Sequence, residues 1–290
     1  MRFFILISIL LLSTFLSHAQ RREFHPTIDI GLNGGISFAE YEQFKGKTKV
    51  GGLSLMANTG FNRHILEFDF ANSLNNDGLV FNGSAFPDVT EHKINPNNFN
   101  LSYTFARELF AYFPACMIRN QVLMGMRLNA EIFMGSEEVS QTNSTIFAAE
   151  DYGRYSADLT LITDYHLNKS NYLVLQLYVP IVTYFAYPQS IPINRERPYE
   201  LDDRLDVAKN YFFKDGDLGW TNNFSKLGLN ATYRVLLTEM FGLQLKYNGR
   251  INTTSQVEYA SQPLAVDIKE NYHQITFGIV GHIVRPPIGF

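Results

Sequence analysis

Little in this chain points to an internal cross-link, a metal or a nucleotide. Cys116 is its one cysteine, so no internal disulfide framework can form. No CxxC, HExxH, GxSxG or phosphate-cradling glycine loop occurs, which leaves no motif for a cofactor, a metal or a covalent nucleophile. Charge of one sign is not in excess. The formal net charge is -4, which disfavours a nucleic-acid partner. No apolar run past the N-terminus is long enough for a spanning helix, which needs about 20 residues. The longest, 173–182, is broken by Gln176 and Pro180. Tryptophan is nearly absent, but 24 Phe and 16 Tyr give a heavy aromatic load of the kind strands on a lipid-facing surface use.

Residues 1–19 read as a secretory signal peptide. Arg2 supplies the positive end. Phe3 onward supplies a short apolar run, and Ser17-His18-Ala19 places small residues where a signal peptidase reads. No cysteine follows the run, so no lipoprotein anchor is expected. Residues 20–290 then form a single domain.

That domain has a rhythm of alternating segment, long polar connection, alternating segment, short turn. Ten strands are expected, at 27–39, 49–61, 63–72, 97–108, 120–134, 151–167, 171–186, 221–236, 239–254 and 271–284. The ninth is the clearest. Phe241, Leu243, Leu245, Tyr247 and Ile251 share one face, while Gln244, Lys246, Asn248, Arg250 and Asn252 share the other. A strict period of two cannot sit on a helix. Short turns follow strands two, six and eight; long polar connections follow three, five, seven and nine. Confining long loops to one end is how an up-and-down transmembrane antiparallel β-barrel reads, with short periplasmic turns and long extracellular loops. A twelve-strand count, with 188–220 adding a hairpin, is the alternative, and a soluble β-sandwich or barrel is a third reading. Pro180 does not fit strand seven, because it lacks a ladder donor; a bulge there, or an early end to pairing, would accommodate it. The 109–119 link is longer and more apolar than the other turns of its side.

In this architecture the chain resembles Gram-negative outer-membrane β-barrel proteins, and its leader, ending His18-Ala19-Gln20, is similar to those common in Bacteroidota. The resemblance covers nearly the whole mature chain. It implies residence in the cell outer membrane, contact with outer-membrane lipid and lipopolysaccharide, and insertion by barrel-assembly machinery. Phe290 is terminal, as the closing aromatic of many such barrels is, but Arg285-Pro286-Pro287 separates it from the last strand.

The same period sorts the charges. Asp29, Glu67, Asp69, Glu108, Arg127, Glu131, Asp158, Asp164, His166, Lys226, Arg234, Lys246, Arg250 and His282 should point into the lumen. Acids dominate strands three to six and bases dominate eight and nine, so two walls of opposite sign should face each other. A ten-strand barrel is narrow, and open pores need about sixteen strands. The expected site is therefore a charge-paired, largely occluded lumen, with no catalytic residues, metal or cofactor assigned. The expected role is structural, adhesive or receptor-like, with an extracellular ligand at the loops. A narrow channel for ions or small polar solutes is the first alternative. A membrane-embedded hydrolase is the second. Omptin-type proteases are also ten-stranded and use Asp and His above the membrane, and other outer-membrane enzymes use Ser and His. Here His64 and His273 face outward without a Ser at a telling spacing. Glu150, Asp151, Asp267, Glu270 and His92 lie toward the outer rim, and the acidic stretch 200–217 does not match the twelve-residue calcium loop.

Overall fold

A computed structural model describes residues 26–41, 44–73, 79–81, 89–112, 120–141, 144–168, 170–186, 216–220, 227–258 and 265–284. Ten long strands make the wall: β1 (Thr27–Tyr41), β2 (Phe44–Asn58), β3 (Asn62–Ser73), β5 (Val89–Tyr112), β6 (Asn120–Gln141), β7 (Ser144–His166), β8 (Asn171–Ala186), β10 (Leu227–Leu236), β11 (Phe241–Glu258) and β12 (Ala265–Val284). Every neighbouring pair is antiparallel, and β1 pairs with both β2 and β12. The wall is thus a closed ten-strand antiparallel β-barrel. Closure leaves no sheet edge, which is what a sheet without flanking helices needs if its backbone is to be paired throughout.

The sequence period becomes an inside and an outside. On β12, Gln274, Thr276, Gly278 and Val280 are buried in the interior, while Ile275, Phe277 and Ile279 are exposed on the outer surface. On β5, Ser102, Thr104 and Ala106 point in and Leu101, Tyr103 and Phe105 point out. In water this would be inside out: most large apolar side chains are on the surface and most buried ones are polar. A wall facing hydrocarbon requires that arrangement.

The two short strands, β4 (Leu79–Phe81) and β9 (Gly216–Trp220), add no staves to the wall. β4 bridges the ends of β2 and β5, and β9 pairs with the end of β8. Of the 188–220 region expected to add a hairpin in a twelve-strand barrel, the described residues 216–220 form one short strand that does not join the wall, and the rest lies outside the described residues. Several connections expected to be loops are strand instead. β6 and β7 stay in register from Val122–Thr163 to Gln141–Ser144, and β1 and β2 pair up to Tyr41–Phe44. Polar composition marks solvent, and a hairpin that projects from the barrel into solvent is polar on both faces. The opposite end carries the tight turns at Thr59–Phe61, Leu167–Ser170 and Leu237–Met240.

Pro180 sits at a bulge. Ala157 pairs with Val182 and Asp158 with Pro180, so Ile181 is the extra residue on β8. On the other side of β8, pairing with β10 ends at Tyr178 and pairing with β9 begins at Val182. The missing N–H of Pro180 thus falls where no described ladder bond is due.

Candidate functional site: the barrel interior

The interior is built in layers. At the turn end, Arg63 forks onto Asp164, with Nη1 donating to Oδ1 at 2.5 Å and Nη2 to the second oxygen. Its Nε donates to Asn58 Oδ1 at 2.6 Å, and Gln121 links this pair to Glu108. Beside it, Arg234 Nη1 donates to Asp29 Oδ2 at 2.5 Å and to the Tyr172 hydroxyl at 3.0 Å, while His282 Nδ1 lies 2.5 Å from Asp29 Oδ1. The His166 ring stacks on Tyr172, its partner across the β7–β8 ladder.

Next comes an apolar septum: Met56, Ile65, Ala106, Leu123, Ile162, Tyr172 and Val174, with Leu236 packed against them. It runs unbroken across six adjacent strands, β2, β3, β5, β6, β7 and β8. The strands carry it between polar residues on the same face. Ile65 lies between Arg63 and Glu67, Leu123 between Gln121 and Arg127, and Ile162 between Asp164 and Thr160. On the facing wall, Val280 and Gln244 fill the same space. Gln244 donates to Asn33 Oδ1 at 2.6 Å and accepts from Arg234 Nε at 3.1 Å. Gly31 makes room for it, since a Cβ there would meet Gln244 Nε2 at 2.2 Å.

At mid-lumen, Lys246 Nζ reaches across to Glu67 Oε1 at 2.5 Å and lies in the field of Asp69. Gln176 bridges Thr104, Thr160 and Asn230. Toward the hairpin end lies a third layer rich in arginine. Arg127 Nη1 donates to Asp158 Oδ2 at 2.9 Å and its guanidinium lies 4.2 Å from the Tyr178 ring centre. Glu131 receives Arg154 on one oxygen and Arg250 Nη2 on the other at 3.1 Å. Cavities with room for about one water molecule each lie beside Arg127, Asp158 and Arg250 and beside Glu67, Val174 and Arg234.

The sequence-derived lumen residues Glu67, Asp69, Arg127, Glu131, Asp158, Asp164, His166, Arg234, Lys246, Arg250 and His282 all face this interior; Lys226 lies outside the described residues. The simple picture of two opposed walls needs correction. Lys246–Glu67 and Arg250–Glu131 do cross the lumen. Arg127–Asp158 and Arg154–Glu131 instead join facing residues of adjacent strands. Two further bases, Arg63 and Arg154, belong to this interior without being among the expected lumen charges: Arg63 opens the expected strand 63–72, and Arg154 shares the even-numbered face of Asp158 and Asp164. The septum residues lie on the same inward face, where no charge in the sequence marks them.

Outside, His64 Nδ1 is 2.9 Å from the Tyr103 hydroxyl, and His273 Nδ1 is 2.8 Å from that of Tyr247. Both histidines are tied to ring neighbours in the surface belt. The rim carboxylates and His92 lie where side chains are not described. Among the described residues, no three His, Cys, Asp or Glu groups converge as metal ligands do.

No protein-family model and no curated protein matches the chain. Solved structures do. The outer membrane protease OmpT of Escherichia coli aligns over 91% of this chain and 99% of its own, at 10% identity and a TM-score of 0.44. Neisserial surface protein A aligns over 89% and 99%, at 7% identity and a TM-score of 0.31. The toluene transporter TodX of Pseudomonas putida aligns over 94% and 92%, at 8% identity and a TM-score of 0.25. All three are outer-membrane barrels of different roles, and likenesses this distant carry no argument about which role is shared.

Proposed function

We propose that the chain is an outer-membrane β-barrel with a sealed lumen, which acts as a structural, adhesive or receptor protein through its outer hairpins and loops. The apolar septum carries this reading. A band of Met56, Ile65, Ala106, Leu123, Ile162 and Val174 across six adjacent strands, faced by the buried Val280 and Gln244, lies between two charged layers, so an ion leaving one would have to shed water before reaching the other. Outer-membrane residence rests on closure and on the belt of exposed Leu, Ile, Phe and Tyr around the wall. The tight turns then face the periplasm and the projecting hairpins the exterior. Lipid and lipopolysaccharide would contact the belt, assembly machinery would insert it, and an extracellular ligand would meet the hairpins. The mildly acidic charge argues against nucleic acid.

Purified protein in a planar bilayer tests this. Sealed barrels should give no single-channel steps. Steady wild-type steps with ion selectivity would overturn the reading in favour of a narrow conduit for ions or small polar solutes. A hydrolase reading finds less support, since both described outward histidines bond to tyrosine hydroxyls.

A further inference from the structure

The outer surface of the wall has a gap in its apolar belt. Gly34 on β1 and Gly51 on β2 are both exposed and face each other across the ladder. Among the described residues they are the one outward-facing pair that carries no side chain. A Cβ at Gly51 would meet nothing within 4 Å, and one at Gly34 would meet only the Val50 carbonyl oxygen at 3.9 Å. Large apolar residues wall the gap. Phe277 on β12 flanks it on one side and Phe70 on β3 on the other. Leu32 and Leu53 close it toward the turn end.

Two cations stand at its opposite end. Lys47 and Lys49 lie on either side of the buried Thr48, so both point outward, and both are exposed. Residues two apart on a strand are about 7 Å apart, close enough for two long side chains to meet on one anion. Lys47 Nζ lies 5.5 Å from the ring centre of Phe38, its ladder partner. On the far side Phe38 pairs with His273, which contacts the Tyr247 hydroxyl. This row marks the headgroup level. Phe38 stands ten residues beyond Ile28 on β1. At about 3.4 Å per residue and a tilt of about 40° that is about 26 Å, close to the height of a lipid-facing belt. A phosphate monoester carries about two negative charges near pH 7, whereas the diester of a phospholipid carries one. Two lysines above an apolar gap therefore match the monoester. We propose that this face of β1 and β2 is a docking site for a glycolipid of the lipid A type, with its phosphate monoester between Lys47 and Lys49 and the start of an acyl chain in the Gly34–Gly51 gap. The site rests on the outer-membrane reading and its orientation, and is independent of the sealed lumen.

Native mass spectrometry of the full mature chain in detergent, with monophosphoryl lipid A added, tests this. The wild type should retain lipid A in preference to phosphatidylglycerol. Lys47→Gln together with Lys49→Gln should weaken lipid A binding about thirtyfold, the effect of two lysines beside an anionic headgroup. Arg107→Gln removes an exposed outward cation at the turn end and should leave binding unchanged. Gly51→Leu alters no charge and enters open space, so it should fold, yet it fills the gap and should lower affinity at least about tenfold. Equal binding by wild type and the double lysine variant, equal binding of the two lipids, or no effect of Gly51→Leu would overturn the proposal. If the double variant fails to fold, the lipid preference and Gly51→Leu decide. Recovery of the protein outside the outer-membrane fraction of cells would overturn the outer-membrane reading itself; a barrel in that fraction with no lipid A preference would overturn this site alone.

Discussion

At the residue scale, the ion pairs of the lumen join specific partners, which makes mutation pairs discriminating. Lys246→Met leaves Glu67 buried without its cation, and breaking a buried pair costs about 3–5 kcal/mol. Glu67→Gln in the same chain should restore much of the loss, because a neutral amide needs no counter-charge. Asp158→Asn should not, since Asp158 pairs with Arg127 at 2.9 Å. Thermal melts of the two double mutants check this; equal rescue by both would mean the charges act as a diffuse field and not as pairs. A second contrast uses neighbours on opposite faces of β11. Leu245 is 48% exposed on the outer wall, and Leu245→Arg should cost about 2–4 kcal/mol if it lies near mid-bilayer. Gln244 is fully buried, so an arginine there would meet Arg234 with no space. Gln244→Glu should instead be tolerated. Its carboxylate can accept from Arg234 Nε, and Asn33, whose Nδ2 has no partner, can flip to donate. Folding yield by gel shift measures both.

At the element scale, the β8–β10 seam is the weak place in the wall. Among the described residues it pairs from Gly228–Tyr178 to Val235–Asn171, eight residue pairs, while β6 and β7 pair from Val122–Thr163 to Gln141–Ser144. Its outer end depends on Gly228. A Cβ there would lie 1.9 Å from the Tyr178 ring, which also packs against the Arg127 guanidinium. Gly228→Ala should therefore lower stability by about 1–3 kcal/mol through overpacking. Adding Tyr178→Leu should relieve the clash. If chemical denaturation shows Gly228→Ala to be silent, the seam is not tightly packed and its short ladder is not a weak point.

At the scale of the whole molecule, orientation and sealing are the testable properties. The turns set the first. Glu239 is exposed in the Leu237–Met240 turn, so Glu239→Cys, with Cys116 changed to Ser, should stay unlabelled by an impermeant maleimide on intact cells. Ser190→Cys, in the long 187–215 connection, should label. The reverse pattern would invert the topology. Sealing rests on the septum and the charged layers together, so removing one layer should not open the barrel. Leu123→Ser should lower stability, because it places a hydroxyl among apolar neighbours, yet it should leave bilayer conductance at zero while Lys246–Glu67 stays closed.

The period of two was legible in the chain, and with it the ten strands, the side of the wall each residue occupies and the inward direction of nearly every lumen charge. A strand has just two faces, so parity alone assigns them. Turn composition marked the tight ends at Leu167–Ser170 and Leu237–Met240. Parity says nothing about height or partner. Whether Lys246 meets Glu67 or Asp158, and whether Arg154 or Arg250 reaches Glu131, depends on the stagger between strands and on how the closed sheet brings distant strands face to face. The septum is the clearest case. Ile65, Leu123 and Ile162 lie on three strands at unrelated places in the chain, and only their register puts them at one level. Which residues point inward is a local property of the backbone; which of them form a layer is a property of the closed barrel.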